Sequence, residues 1–365
     1  MPFSIPLSEM VTFSPNRNIP IHRWFHYREG FSKAFVEWGV TSYSLQGPIL
    51  DPFCGVGTTP LACKEMGLIS IGCDTSPLMR FVAETKTKTY DLDSLQEEYA
   101  VLKKERFDFP REGRVDSWVA KRFHPQTFRE LLFIKGYIRK EMTKSPLHDI
   151  ALLALIDQTL RCANVERLGA SLRRINKGYM PVRKFWVQKI GHMIKDLEKV
   201  PSEGYIPKIL DDDARRLKHI ESHSIGSIIT SPPYLNKVEY ASAYKLELAL
   251  FFDESKTQLR SFIGEQVAMG EGESDLPIAD AYLHDMLKCF RQFHRVLKDG
   301  GKAVVNVAGG CFPDRVVKSD ELLMDIAKEE GFTLEDNIIA RTIDCHKRHS
   351  GFVGKVNERV VVLVK

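Results

Sequence analysis

Three short stretches hold residues that could do chemistry together. The first is Thr230-Ser231-Pro232-Pro233-Tyr234, directly after the apolar run Ile225–Ile229. An apolar run of that length bounded by turn formers reads as a buried strand. The two prolines end it, because neither can donate a backbone N–H. A strand that stops in a rigid turn carrying Ser231 and Tyr234 is well placed for chemistry, since ligands of open α/β sheets bind at the carboxyl ends of strands. The plain alternative is a proline-stiffened loop.

The second stretch is Pro48-Ile49-Leu50-Asp51-Pro52-Phe53-Cys54-Gly55-Val56-Gly57-Thr58-Thr59. An apolar strand ends at Asp51, a turn with two glycines follows, and a helix is predicted from Thr59 to Met66, closed by Gly67. Strand, glycine turn and helix let a ligand approach the backbone at a helix N-terminus. The third stretch, Leu68–Asp74, is a strand ending in an acid about twenty positions after the glycines. In nucleotide-binding βαβ units such a carboxylate accepts from ribose hydroxyls. Asp74 also suits a turn or helix cap, because Thr75-Ser76-Pro77 follows and a helix to Lys86 is expected. The turn is not G-x-G-x-x-G, and no Gly-Lys-Ser/Thr follows it, so a pyrophosphate is a poor ligand. An adenosyl group with a cationic or zwitterionic tail fits better, with Asp51 facing the amino-acid end.

Other elements must hold these stretches. Residues 1–47 open as loop, pass through the aromatic and basic cluster His22–Arg28, and turn helical from Ser32 to Trp38. Residues 91–204 have helical apolar spacing at Phe128–Ile138, Ile150–Leu160 and Phe185–Leu197, and no clear strand. Between Arg161 and Lys189 eight basic residues stand against Glu166 alone, with Tyr179 and Trp186 interleaved. Basic loops with aromatics suit a phosphate backbone and its bases, and Arg167, Arg173, Arg174, Lys177, Arg183 and Lys184 are the candidates; the alternative is a solvated helical face. Strand and helix then alternate again. Strands are expected at Ile206–Leu210, Lys302–Val307, Leu334–Asp344 and Arg359–Lys365, and helices at Tyr240–Phe252, Ala281–Leu297 and Ser319–Glu330. A polar loop is expected at 255–280, and a basic loop holds His346, Lys347, Arg348 and His349.

Composition sets the outer bounds. A chain of 365 residues, 43% hydrophobic and 27% charged, is an ordinary globular protein with room for a large core. No run approaches a membrane span and Met1–Met10 lacks a signal-peptide pattern, so a cytoplasmic protein is expected. Seven cysteines without a CxxC pair point to neither a disulfide framework nor a zinc site, and no metal is expected. A net charge of +4 permits a nucleic-acid partner without demanding one.

Taken together, Asp51–Thr59 and Thr230–Tyr234 resemble the cofactor and catalytic motifs of the S-adenosylmethionine-dependent methyltransferases that modify exocyclic amines of DNA bases. The Ser-Pro-Pro-Tyr form is typical of the cytosine-N4 branch; the adenine-N6 branch more often has Asp or Asn where Ser231 stands. The resemblance covers roughly residues 20–90 and 205–365. It implies an α/β, Rossmann-like methyltransferase fold with a mostly parallel seven-stranded sheet, one antiparallel strand, and helices on both faces. Residues 1–90 and 205–365 would form the methyltransferase domain, and 91–204 a helical insertion for DNA target recognition, with the loop at 255–280 a second candidate. In the family this region commonly lies outside the cofactor-motif block; here the insertion precedes the aspartate run Asp211-Asp212-Asp213.

By the same resemblance, Phe53, Gly55, Gly57, Thr58 and Thr59 form the cofactor turn, Asp74 with Thr75 takes the ribose, and Asp213 takes the adenine amine. Tyr27 lies near the methionine end. Ser231, Pro232, Pro233 and Tyr234 are catalytic. The target base would be flipped from double-stranded DNA into the pocket. Ser231 Oγ and the Pro232 carbonyl would accept the amine protons, and Tyr234 would stack on the base. The implied activity is site-specific cytosine-N4 methylation, with a cognate restriction endonuclease as possible partner. Adenine-N6 methylation, or action on an RNA base amine, is the alternative.

Overall fold

A computed structural model describes residues 4–110, 117–168, 171–200, 204–235, 243–252, 276–346 and 351–365. The chain begins with helices α1 (Leu7–Met10) and α2 (Lys33–Tyr43). It continues through strand β1 (Ile49–Asp51), α3 (Thr58–Glu65), β2 (Ser70–Asp74) and α4 (Pro77–Thr87). A helical region follows, with α5 (Leu92–Lys104), α6 (Pro125–Glu141), α7 (His148–Cys162), the hairpin β3 (Val165–Leu168) and β4 (Ser171–Arg174), and α8 (Val182–Leu197). Alternation resumes with β5 (Lys208–Asp211), β6 (Ile225–Thr230), α9 (Lys245–Phe251), α10 (Leu276–Val296) and β7 (Leu297–Ala308). The short pair β8 (Gly310–Cys311) and β9 (Val316–Val317), α11 (Ser319–Glu329), β10 (Thr333–His346) and β11 (Phe352–Val364) complete it.

Seven strands form one sheet in the order β10-β11-β7-β6-β1-β2-β5. Strands β5, β2, β1, β6 and β7 run parallel, and β11 is antiparallel to both of its neighbours. This is the Rossmann-like, mostly parallel arrangement. Its central strands are buried along their whole length, so they read as unbroken apolar runs. Successive residues feed opposite faces. Leu50, Ile228 and Val305 pack with Met286, Phe290 and Phe293 of α10. Ile49, Ile229 and Val304 pack with Phe35 and Val36 of α2. Each such fully buried side chain contributes about 1.5–3 kcal/mol. Going outward from β1, chain order runs one way through β2 and β5 and the other way through β6 and β7. The β1/β6 boundary is therefore the switch point where a crevice opens.

The helical region shares a continuous core with the first half of the sheet domain. Trp24, Val56, Leu61 and Leu78 belong to the same apolar cluster as Leu95, Leu131, Leu155 and Trp186. Trp186 is fully buried and its indole donates to the Ala151 carbonyl at 2.8 Å, so it is a core residue and not a base contact. The β3–β4 hairpin corrects the expectation that residues 91–204 hold no strand. Its strands are four residues each and mostly polar or basic, which hides the alternation from an apolar count. Cys311 and Cys345 are bonded to each other, where the cysteine pattern led us to expect no disulfide; the spacing of the two residues does not reveal that β8 folds beside the end of β10. Residues 255–275 of the expected polar loop, the start of the helix expected at Tyr240, and Lys347, Arg348 and His349 lie outside the described residues, while 276–280, expected as loop, belong to α10.

Candidate active site

The glycine turn follows β1 and is stitched to β2. Cys54 N–H donates to the Cys73 carbonyl at 2.9 Å, and Gly57 N–H to the Cys54 carbonyl at 2.8 Å. Gly55 (φ 49°) and Gly57 (φ 78°) both sit in the left-handed region that side chains disfavour. Space adds to this: a Cβ on Gly57 would stand 2.8 Å from Ala83 Cβ, and one on Gly55 would stand 3.0 Å from the Tyr27 ring. Gly57 caps the buried first turn of α3, where Thr58 and Thr59 lie.

Two carboxylates frame this turn. Asp74, ending β2, accepts from Gly55 N–H at 3.0 Å and Ser76 N–H at 2.8 Å. Burial nevertheless pushes its carboxyl above the ordinary range, against the pull of those two N–H groups. Asp51, ending β1, is 1% exposed and accepts from Phe53 N–H at 3.1 Å. Burial pushes its carboxyl up to about 6, against its hydrogen bonds, and the charge of Asp74 adds to the rise. Neither carboxylate pairs with a basic side chain among the described residues. A buried acid, Asp51, and a half-buried one, Asp74, neither in an ion pair among the described residues, suit a ligand that brings positive charge. Phe53 is half-buried against the α10 side of the sheet, and Thr75 is exposed.

The Ser-Pro-Pro-Tyr turn leaves β6 beside this site. Thr230 Oγ1 donates to Asp51 Oδ1 at 2.7 Å, tying the two turns together across the strand pair. Ser231, Pro233 and Tyr234 are half-buried and Pro232 is buried. Tyr234 is anchored from behind: its hydroxyl donates to Glu358 Oε1 at 2.6 Å and accepts from Asn306 Nδ2 at 2.7 Å. Motif spacing missed Asn306 and Glu358. Asn306 left a trace, being the lone amide in Ala303-Val304-Val305-Asn306-Val307-Ala308; Glu358 sits in a polar run and left none.

Farther along the sheet, Asp211 is exposed and pairs with Arg80, whose guanidinium also bonds the Asp74 carbonyl. The Asp212 carboxylate is used internally, by Asp213 N–H and by His219. Asp213 is partly open and chelated by Arg215, which is shared with Asp285. Tyr27 packs over Gly55 and stacks on Tyr244 with centroids 5.9 Å apart. Tyr244 in turn donates to Glu29 at 3.2 Å.

The basic candidates divide into two sets. Arg167 turns inward, donates to the buried Glu247 at 2.7 Å, and lies 4.3 Å from the Tyr244 ring centroid. Lys177 Nζ donates to the carbonyls of Leu160, Arg161 and Val165, which occupy its three N–H groups. Arg183 donates to the carbonyls of Lys103 and Glu105 and covers Phe107. These three, all half-buried, make their hydrogen bonds within the fold. Arg173, Arg174 and Lys184 are exposed, and Arg173 also pairs with Glu166.

No family model matches the chain. Over 316 residues it is 28% identical to the type II methyltransferase M.BsoBI of Geobacillus stearothermophilus, a match covering 76% of this chain and 62% of that protein. Over 279 residues it is 26% identical to M.AvaI of Nostoc sp., covering 66% and 56%. A shorter match of 77 residues, 39% identical, aligns 21% of the chain with 14% of M.MjaII of Methanocaldococcus jannaschii. The chain thus spans less than two thirds of the length of the curated relatives it matches. All three are type II methyltransferases, and the likeness to M.BsoBI and M.AvaI extends over most of this chain.

Proposed function

We propose that the chain is a site-specific DNA methyltransferase that uses S-adenosylmethionine to methylate the exocyclic N4 amine of cytosine. The observation that carries this reading is the 2.7 Å bond from Thr230 to Asp51, which joins the catalytic-type turn to the cofactor-type turn at the sheet's switch point. The names of the relatives and the two strand-end carboxylates, buried Asp51 and half-buried Asp74, point the same way.

When bound, S-adenosylmethionine supplies an electrophilic methyl group on a positively charged sulfur. Asp74, beside Thr75, would take the ribose hydroxyls with acceptor positions left over from Gly55 and Ser76. Asp213 would receive the adenine amine. Asp51 and Tyr27 would border the methionine end, and Phe53, Gly55, Gly57, Thr58 and Thr59 would form the backbone cradle. The base amine is a weak nucleophile because its lone pair is delocalised into the ring. Ser231 Oγ and the Pro232 carbonyl would accept its protons and favour a more tetrahedral nitrogen. Pro233 keeps the turn rigid, and the Tyr234 ring would stack on the base once it is flipped out of the duplex. Most of the rate would then come from positioning the reacting groups. Arg173, Arg174 and Lys184 would meet the phosphate backbone beside the insertion, which we assign to target recognition. A cognate restriction endonuclease belongs to the same proposal.

The test is transfer of labelled methyl from S-adenosylmethionine to duplex DNA by the purified chain. Wild type should label DNA, and Ser231→Ala and Tyr234→Ala should each lower the rate by roughly a hundredfold or more. Full activity of Tyr234→Ala would remove the stacking role; unlabelled DNA with wild type would remove the proposal.

A further inference from the structure

Behind the catalytic turn, Asn306, Arg341 and Glu358 form a polar array that reaches Tyr234, and the proposed reaction gives these three side chains no role. Tyr234 Oη is 2.6 Å from Glu358 Oε1, 2.7 Å from Asn306 Nδ2 and 3.4 Å from Ser231 Oγ. Asn306 Nδ2 also reaches Glu358 Oε1 at 3.2 Å, and Arg341 Nε donates to Glu358 Oε2. Three strands build it. Arg341 on β10 stands opposite Glu358 on β11, and Asn306 on β7 lies two residues along from Glu358's partner Ala308. Glu358 and Asn306 are each 1% exposed.

Burying a carboxylate is costly unless donors surround it, and here three converge. A carboxylate facing a guanidinium can only accept. Tyr234 must therefore direct its one proton to Glu358, which leaves its lone pairs for the amide of Asn306 and the hydroxyl of Ser231. Ser231 then directs its own proton to Tyr234 and keeps its lone pairs for another donor. Asn306 follows the same polarity. It turns its NH2 to the phenol and the carboxylate although Oδ1 is then buried with no partner among the described residues.

We propose that Glu358 is a positioning residue that sets the direction of the hydrogen bonds in the catalytic turn, so that Ser231 meets the substrate amine as an acceptor. This rests on the reading of Ser231 as the amine's partner. Without Glu358 the Tyr234 proton is free to turn toward Ser231 Oγ, and the Ser231 proton then points at the substrate amine, donor against donor.

The experiment is a set of variants assayed for methyl transfer and, separately, for DNA binding by fluorescence anisotropy. Glu358→Ala should lower kcat by about ten- to a hundredfold, the worth of a hydrogen bond to a charged group, with DNA Kd unchanged. Glu358→Gln keeps one acceptor oxygen and should lose less. Tyr234→Phe removes the same link without touching the buried charge, so it tests the array even if Glu358→Ala folds poorly. The double variant Glu358→Ala/Tyr234→Phe should be no slower than Glu358→Ala alone. In a Ser231→Ala background, Glu358→Ala should cost less than about twofold, because nothing remains to orient. A purely structural role predicts the opposite: losses that add to that of Ser231→Ala and track a fall in Tm. Active wild type together with a fully active Glu358→Ala, or with additive losses, overturns this inference alone. A wild type that methylates no base amine overturns the reading beneath it.

Discussion

The sheet half and the helical insertion use their charged residues in contrasting ways. At the strand ends, Asp51 is buried and Asp74 half-buried, neither carboxylate forms an ion pair among the described residues, and the turns around them satisfy their oxygens with hydroxyl and N–H donors. In the insertion, half of the candidate cations turn inward onto Glu247 or onto backbone carbonyls, and half stay outside. A strand-end acid left without a cation is poised for a ligand. A basic side chain already holding three carbonyls is part of the scaffold. The sign of a region's charge therefore says little about its partner until each charge is placed on a face.

The contrast can be broken first at Arg167. Arg167→Met should leave Glu247 buried and unpaired and cost about 3–5 kcal/mol of stability, seen in a urea melt. If it weakened DNA binding with the melt unchanged, the division of the basic residues would be wrong. Asp51→Asn should act in the other direction. Its carboxyl sits near 6 in the folded chain, above the ordinary range, so the folded state holds a proton that the unfolded state has released between about pH 4 and 6. Stability from this group therefore falls as pH rises through that window. At pH 7.5 Asp51→Asn should stabilise the ligand-free protein by about 2–3 kcal/mol, and at pH 4 by little; thermal melts at the two values check it. A smaller effect is expected from Lys177→Ala, which frees three carbonyls and should cost about 1–2 kcal/mol without changing the salt dependence of DNA binding. Smallest on stability are Arg174→Ala and Lys184→Ala. Each should leave the melt unchanged and make log Kd against log salt shallower by about one unit or less.

These outcomes also show what could be read from the sequence. The βαβ start, the acid ending β2 and the proline turn after β6 were legible because strand termini and glycines fix geometry locally. Helices in the insertion were legible by period. The β3–β4 hairpin was not, since four-residue polar strands have no apolar face to count. Arg167 and Trp186 could not be assigned to the interior, because their partners Glu247 and Ala151 are far away in the chain or on another helix. Glu358 was invisible for the same reason: it is 124 residues from Tyr234 and meets it only through the antiparallel insertion of β11. Local chemistry is written in the motif, while the residues that orient it are written in the register.

The most direct test is identification of the methylated nucleoside. DNA treated with the purified chain and S-adenosylmethionine would be digested to nucleosides and resolved by mass spectrometry. The account predicts N4-methylcytosine, lost with Ser231→Ala. N6-methyladenine would contradict the choice that rests on Ser231, and DNA carrying no new methyl group would contradict the central claim.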